Sequence, residues 1–341
     1  MTRILIVTDA WQPQVNGVVR CLTNVGDELK SFGHDVRFLT PGQFWTVPMP
    51  TYPEIRLSFA SLGHIEAFVD GVQPDCIHIA TEGPLGLLAR QLCMARNVPF
   101  TTSYHTRFAE YLSARVPIPP DWGYAYLRWF HEPAKRTLAP TKSISKDLLS
   151  RGFENIVSWT RGVDASHFVP GEKTQFTDLP GPHLLYVGRV SVEKNIQSFL
   201  SADVPGTKIV VGDGPQLEEL RHAFPDVHFL GHRSGKELVA CYQSADAFVF
   251  PSKTDTFGNV MIEAMASGTP VAAYPTMGPI DVLTDRRAGA MDDDLSVAIR
   301  TALTLDRGAA RRHALTFTWR HCAEIFFENL QIIGPQRELA A

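Results

Sequence analysis

Short apolar runs alternate along the chain with amphipathic segments, and this alternation predicts an α/β protein with parallel sheets. Residues 4–9 read as a first strand, and 18–33 as a helix with apolar positions on one stripe and a glycine at its end. Further strands are predicted in the first half at 34–41, 76–81, 98–105 and about 137–141. The same pattern starts again at His183, which indicates a second domain of the same architecture.

Residues 167–182 are rich in Pro and Gly and lack periodicity, so we interpret them as a linker between two doubly wound, Rossmann-like domains. The predicted N-terminal domain spans 1–166 and the C-terminal domain 183–316. A last helix over 317–331 places Trp319, Ala323, Phe326 and Leu330 on one stripe.

Composition narrows the class of protein. The 341 residues suit two domains, and 44% hydrophobic with 20% charged residues describes a globular chain. The net charge of −4 argues against a nucleic-acid partner. Five cysteines without close pairing predict reduced thiols in a cytoplasmic protein. We also expect no signal peptide and no membrane span, since no apolar run reaches about eighteen residues.

Residues 251–273 carry the most specific chemistry. Asp255 and Glu263 flank Gly258, which precedes a run of helix formers, so a helix start with free N–H groups is predicted there. An acid on each side of an anion-binding helix start suits a diphosphate ligand with hydroxyls at both ends, as in a sugar nucleotide. Each acid taken alone is more typical of a solvated loop, for Asp255, or of an exposed helix face, for Glu263.

A second segment, 183–195, is predicted as a strand, a turn at Gly188 and a helix start at Ser191, with Arg189 and Lys194 beside it. Such a basic loop suits oxyanions, although a solvated basic loop is the common alternative. The next strand ends at Gly212, Asp213 and Gly214, which by themselves indicate only a turn.

Three positions in the first half lie at predicted strand ends, where parallel sheets bind ligands. Asn16 and Gly17 form a turn before the first helix, and a missing Cβ permits close approach of a ligand. His105 is a candidate sugar or phosphate contact, though a lone His is usually structural. Glu82 contacts donor or acceptor, or caps the helix that begins near Pro84.

Two further features remain: an acidic run that an ordinary helix cap explains, and an aromatic segment with two possible explanations. Asp292–Asp294 precede a predicted helix, so we interpret them as an N-cap with first-turn acids rather than a metal site. The segment from Tyr104 to Phe130 interleaves aromatic residues with Arg107, Arg115 and Arg128. It suits a membrane interface or lipid entry groove, or an ordinary helical core with arginines along it.

Taken in order, these segments resemble the retaining, GT-B-fold glycosyltransferases of family 4. The resemblance implies that Asp255, one methylene shorter than the usual Glu, approaches the donor sugar, and that Glu263 binds the ribose. Arg189 and Lys194 would neutralise the diphosphate, and His105 would be the family's active-site histidine. Further donor contacts are implied at Asn16, Gly17, Gly188, Gly212, Asp213, Gly214, Phe257, Gly258, Asn259 and Val260.

The resemblance also implies a fold and an activity. Two Rossmann-like domains would face a central cleft, with helix 317–331 packing back on the first. The enzyme would move a hexosyl or hexuronosyl unit from a UDP- or GDP-linked sugar, without metal or other cofactor.

Segments 81–86 and 103–108 resemble the lipid-directed subgroup, which implies a lipid acceptor such as diacylglycerol at the inner face of the cytoplasmic membrane. Acceptor contacts are then expected from Glu82, Tyr104 and Arg107. A soluble or polysaccharide acceptor, a sugar-nucleotide epimerase and a non-catalytic sensor are the alternatives.

Overall fold

A computed structural model describes residues 1–14, 16–49, 52–113 and 119–334. The chain forms two compact units: Met1–Thr160 together with the segment from Trp319, and Arg161–Thr318. The predicted linker 167–182 therefore lies inside the second unit. Phe168 is buried in the core of that unit, and the carbonyl of Val169 accepts a hydrogen bond from Gln243 at 2.8 Å. The sequence of residues 167–182 has no periodic pattern, yet Phe168 and Val169 pack within the second unit.

The first unit is built on a six-stranded sheet in the order β2-β1-β5-β6-β7-β8, with every strand pair parallel. Its strands are β1 Arg3–Val7, β2 Asp35–Leu39, β5 Cys76–Ile79, β6 Thr101–Ser103, β7 Thr137–Ala139 and β8 Ile156–Ser158, and an antiparallel hairpin adds β3 Trp45–Met49 and β4 Tyr52–Phe59. Its helices are α1 Gly17–Ser31, α2 Leu62–Val72, α3 Pro84–Ala95, α4 Phe108–Ser113, α5 Pro120–His131, α6 Lys142–Ser150 and α14 Trp319–Asn329.

The C-terminal helix α14 completes the core of the first unit. Trp319 and Phe326 are buried with Leu22 of α1. The Trp159 indole donates to the carbonyl of Cys322 at 2.9 Å. Helix α14 is therefore part of the same unit as β1.

The second unit carries a parallel sheet in the order β11-β10-β9-β12-β13-β14. Its strands are β9 His183–Val187, β10 Thr207–Val211, β11 His228–Gly231, β12 Ala247–Phe250, β13 Val271–Ala273 and β14 Gly289–Met291. Its helices are α7 Ile196–Leu200, α8 Leu217–Ala223, α9 Gly235–Ser244, α10 Asn259–Ala266, α11 Pro279–Val282, α12 Leu295–Ala302 and α13 Arg307–Ala314. This order is the doubly wound arrangement of dinucleotide-binding folds, in which ligands bind where the strand order reverses.

The structure departs from the sequence prediction in two places. The helix expected from Ser191 is a single 3-10 turn, Val192–Lys194, and α7 starts only after Asn195, whose φ of 52° breaks the helix. The β3–β4 hairpin was not predicted, because Pro48 and Pro53 interrupt its strands and argue against strand structure. Within the described residues, the helices are all too short or too polar to cross a bilayer.

Candidate functional site

The sheet of the second unit reverses its strand order between β9 and β12, and the loops that leave these strands lie together. Asn195 donates through Nδ2 to the carbonyl of Pro251 at 3.0 Å. Thr254 donates through Oγ1 to the carbonyl of Glu193 at 3.0 Å. These two hydrogen bonds join loops that are some sixty residues apart in the sequence, so the two loops form one surface.

This surface holds an ion pair between two of the predicted site residues. Lys194 Nζ lies 2.5 Å from Asp255 Oδ1, and both side chains are largely buried. Asp255 Oδ2 is buried and accepts no hydrogen bond from the described residues. A buried carboxylate oxygen without a donor is costly, so the site has an unused acceptor that a hydroxyl could satisfy.

Gly258 is the residue immediately before α10, and its φ of 90° is a conformation that favours glycine. A Cβ at this position would lie 2.7 Å from Met261 and 2.8 Å from Phe250. Gly258, the N-cap residue, has no side chain with which to cap α10, so it leaves the N–H groups of the first turn, where Asn259 and Val260 lie, for another acceptor. This is the anion-ready helix start that the sequence predicts.

Phe257, just before this turn, is buried, and its ring stands edge-on to Phe317 at 6.0 Å. Its side chain belongs to the core, so any donor contact from Phe257 comes from its backbone.

Glu263 lies in α10 and is only 3% exposed. Its Oε2 accepts a hydrogen bond from the Tyr242 hydroxyl of α9 at 3.1 Å. The alternative of an exposed glutamate on a helix is therefore wrong. The role of Glu263 as ribose anchor stays a prediction.

The glycine turns after β9 and β10 lie against each other. The N–H of Val190 donates to the carbonyl of Asp213 at 2.9 Å. A Cβ on Gly212 would be 1.8 Å from the carbonyl oxygen of Gly188, and one on Gly214 would be 2.3 Å from that of Val190. Glycine is required by this contact between the loops. Whether a ligand also uses it remains a prediction.

Arg189 follows Gly188 in this contact region. It is partly buried, and its carbonyl accepts a hydrogen bond from the Tyr186 hydroxyl at 2.7 Å. The hydrogen bond from Tyr186, which lies in β9, therefore fixes the backbone position from which the Arg189 side chain extends.

In the first unit, Asn16 is the N-cap of α1. Its Oδ1 accepts from the N–H groups of Val18 and Val19, both at 3.0 Å, and its Nδ2 donates to Gln14 at 3.0 Å. Gly17 is the first helical residue. A helix cap accounts for the Asn-Gly pair structurally, and the structure leaves its predicted donor contact untested.

His105 lies just beyond β6 and takes part in a polar cluster. The Ser103 hydroxyl is 2.8 Å from His105 Nε2 and 3.1 Å from His78 Nε2. Burial lowers the pKa of His78 to about 3, so this ring is neutral. His78 is therefore a core residue with hydrogen-bond partners on the neighbouring strand, Thr101 and Ser103.

Asp9, which sequence reasoning missed, caps α3. Its carboxylate accepts from the N–H groups of Leu85 at 2.8 Å and Gly86 at 3.3 Å, and from the Thr81 hydroxyl at 2.9 Å. Burial raises the pKa of Asp9, against these hydrogen bonds, which lower it. The alternative that Glu82 caps this helix is wrong. The available signal was an acid directly after a buried strand.

Glu82 has other partners. Its Oε1 is 3.2 Å from His131 Nε2, and its carbonyl accepts from the Tyr126 hydroxyl at 2.7 Å. Its side chain is 23% exposed, so the carboxylate is reachable from solvent.

Two of the expected acceptor contacts lie close to α5. Tyr104 is 1% exposed and its ring lies near that of His131, and its acceptor contact stays a prediction. Arg107 pairs with Glu110 at 2.5 Å, and Glu110 also accepts from the Tyr124 hydroxyl at 2.6 Å. The acceptor contact of Arg107 also stays a prediction.

The aromatic segment from Tyr104 to Phe130 contains both buried and exposed aromatic residues. On α5, Leu127 and Phe130 are buried, whereas Trp122 and Trp129 are 73% and 48% exposed. Arg115 and Pro117 lie outside the described residues.

The Asp292–Asp294 run is an N-cap, as predicted. Asp294 precedes α12 and accepts from the N–H of Ser296 at 2.8 Å. Over the ranges that the structure describes, no three His, Cys, Asp or Glu side chains come together as a metal site.

Two Rossmann-like units define the GT-B class of glycosyltransferase folds. Sucrose-phosphate synthase from Thermosynechococcus elongatus superposes with a TM-score of 0.80, at 20% identity over 96% of this chain and 98% of that one. Anabaena HepE, solved with UDP and glucose, gives 0.69 at 15% identity over 96% and 99%.

Sequence comparison defines the family. Residues 15–167 match the model of Glycosyltransferase Family 4, and 181–304 match that of Glycosyl transferases group 1. A GDP-mannose-dependent alpha-mannosyltransferase of Mycobacterium tuberculosis (strain CDC 1551 / Oshkosh) is 30% identical over 84% of this chain and 82% of that protein. The sulfoquinovosyl transferase of Arabidopsis thaliana is 31% identical over 84% and 65%. This chain belongs to glycosyltransferase family 4.

Proposed function

We propose that this protein is a retaining, metal-independent hexosyltransferase. It moves a hexosyl or hexuronosyl unit from a nucleoside-diphosphate sugar to a hydroxyl of a membrane lipid such as diacylglycerol. The observation that carries the donor side is the grouping of Lys194, Asp255 and the uncapped start of α10 at the strand reversal of the second unit.

This grouping supports binding of a diphosphate without a cation. An ammonium, as at Lys194, a guanidinium, as at Arg189, and a helix N-terminus are groups that proteins use to hold phosphate oxygens. Asp255 offsets the charge of Lys194 in the ion pair. A diphosphate competes for that ammonium, and the released Asp255 carboxylate is then available to hydroxyls of the donor sugar.

The reaction follows from where charge develops. As the sugar–phosphate bond breaks, negative charge grows on the departing diphosphate, and Arg189, Lys194 and the start of α10 stabilise it. The departing oxygen accepts the proton of the acceptor hydroxyl on the face from which it leaves. The new bond then forms on that face, so the configuration of the sugar is retained and no protein nucleophile is needed.

Similar proteins support a guanine nucleotide and a lipid acceptor. The mycobacterial relative is named for GDP-mannose, and the Arabidopsis one for sulfoquinovosyl transfer. Alpha-monoglucosyldiacylglycerol synthase of Streptococcus pneumoniae is 28% identical over 88% of this chain and 78% of that protein. The exposed Trp122 and Trp129 add a physical reason, because tryptophan favours the boundary between water and lipid.

Donor consumption tests the class of reaction. The purified protein is incubated with GDP-mannose or UDP-glucose, with and without vesicles that contain diacylglycerol, and released nucleoside diphosphate is measured. We expect release to require the acceptor. A changed sugar without an acceptor would indicate an epimerase, and binding without consumption would indicate a sensor. Transfer to a soluble sugar alone would remove the lipid part of the proposal.

Vesicle sedimentation tests the membrane part. We expect binding to anionic vesicles that weakens as salt rises, and the double change of Trp122 and Trp129 to Ser should abolish it. Trp45→Ser is the matched control, since Trp45 is also exposed but lies on the β3–β4 hairpin. Equal losses in both variants would mean that general surface hydrophobicity, and not α5, carries the binding.

A further inference from the structure

Glu82 is a partly exposed carboxylate that two residues of one helix hold in place. The His131 ring of α5 meets its side chain, and the Tyr126 hydroxyl of α5 meets its backbone carbonyl. Glu82 lies just beyond β5, beside β1, where the sheet of the first unit reverses its strand order. Ligands of doubly wound folds bind at this edge.

A chain of hydrogen bonds sets the orientation of His131. Thr137 Oγ1 is 2.9 Å from Thr102 Oγ1, which is 2.9 Å from His131 Nδ1. An ionised Glu82 only accepts, so His131 donates from Nε2. In the tautomer with its proton on Nε2, His131 accepts at Nδ1 from Thr102, which accepts in turn from Thr137. One tautomer satisfies every link, and His131 is buried among them.

The backbone on both sides of Glu82 is fixed as well. Thr81 donates its hydroxyl to Asp9 and accepts from the N–H of Asp9 at 2.7 Å. Gly83 packs so closely that a Cβ there would lie 2.5 Å from the carboxyl carbon of Asp9. An ordinary surface glutamate gains little from such ordering, which costs side-chain entropy. Pre-organisation of this kind is typical of a functional carboxylate.

One oxygen of this carboxylate is left for a ligand. His131 occupies Oε1, whereas Oε2 accepts no hydrogen bond from the described parts of the chain. An oriented, solvent-accessible oxygen of an ionised carboxylate is a strong acceptor for a hydroxyl.

We propose that Glu82 Oε2 accepts a hydrogen bond from the acceptor substrate, and that His131 and Tyr126 are positioning residues for it. The inference rests on the proposed transferase function. Glu82 binds the acceptor and takes no proton in the reaction. His131 and Tyr126 touch no substrate and act only through Glu82.

A double-mutant cycle tests this dependence. Glu82→Ala, His131→Ala and the double variant are assayed for transfer from GDP-mannose to diacylglycerol in vesicles. We expect each single change to lower kcat/KM for the acceptor about tenfold or more, and the double variant to match Glu82→Ala. His131→Gln keeps an N–H donor and should restore part of the activity. Additive losses in the double variant would overturn the inference.

Two measurements separate positioning from folding. Affinity for free GDP should be unchanged in all variants, because none of them alters a residue to which a donor contact is assigned, and Lys194, Asp255 and Glu263 lie in the other unit. Tyr126→Phe removes only the hydroxyl and should raise KM for the acceptor without changing the melting temperature. His34→Ala is the control, since His34 stacks on Phe327 in the same unit and does not contact Glu82. A KM change in that variant equal to that of Tyr126→Phe would also refute the positioning role.

The outcome for the wild type keeps the two proposals apart. If the wild type transfers sugar to no acceptor, the proposed function fails. If it transfers normally and Glu82→Ala does the same, only the role of Glu82 fails.

Discussion

Replacing Gly258 with Ala should damage the donor site and the core of the second unit together. Two costs add at this position. An alanine held at positive φ costs about 1–2 kcal/mol, and the new methyl group would meet Met261 and Phe250 at 2.7 and 2.8 Å. Overpacking of a core typically costs about 1–3 kcal/mol. We therefore expect the free energy of unfolding to fall by about 2–5 kcal/mol.

Gly235→Ala separates the two costs. Gly235 also has positive φ, 53°, but a Cβ there would meet nothing within 4 Å. It should show the backbone cost alone, about 1–2 kcal/mol. Urea unfolding followed by far-UV circular dichroism measures both variants, and calorimetry with GDP measures the site. GDP affinity should fall for Gly258→Ala and stay unchanged for Gly235→Ala. Equal losses of stability and intact GDP binding in both variants would refute the close packing of this turn.

Three further predictions concern single residues. Glu263→Ala should weaken GDP binding by roughly 1–3 kcal/mol in calorimetry, because ribose hydroxyls would lose a buried acceptor; unchanged affinity would remove Glu263 from the site. Transfer should survive EDTA, whereas Arg189→Ala and Lys194→Ala should lose most of it; loss with EDTA and recovery with Mn²⁺ would contradict metal independence. Burial raises the pKa of the Asp9 carboxyl above its ordinary value of 3.8, so the stability that the protonated carboxyl contributes is lost as pH rises from that value through the raised pKa. Asp9→Asn has no ionisable group at this position, so the stability of the wild type relative to this variant should decrease as pH rises above about 4 in urea titrations; a constant difference would mean that Asp9 titrates normally.

Most of the fold could be predicted because its central strands, such as β1, β5, β9 and β12, are buried on both faces. Ile4 to Val7 form a continuous apolar run, and Gly33 and Gly268 mark helix ends. The hairpin with Pro48 and the 3-10 turn before Asn195 could not be predicted, since tertiary packing overrides local preference there.

The candidate site divides in the same way. Lys194, Asp255 and Gly258 were identifiable because loop residues after parallel strands meet at one sheet edge. The cap of α3 by Asp9 joins residues more than seventy positions apart, and no local pattern encodes such a contact. The burial of Tyr104 depends on which side of β6 its ring turns, which a single aromatic residue after a strand does not specify.

The return of α14 to the first unit has a consequence for synthesis. The second unit, Arg161–Thr318, is continuous in the chain, so all of its residues have been made once Thr318 has been added. The first unit lacks Trp319 and Phe326 until then, so the apolar face around Leu22 stays uncovered by α14 while the whole second unit is translated, roughly ten to thirty seconds. The sheet of the first unit is thus made before that of the second, and its core is completed after it. Premature termination before Trp319 would leave a finished second unit attached to an unfinished first one.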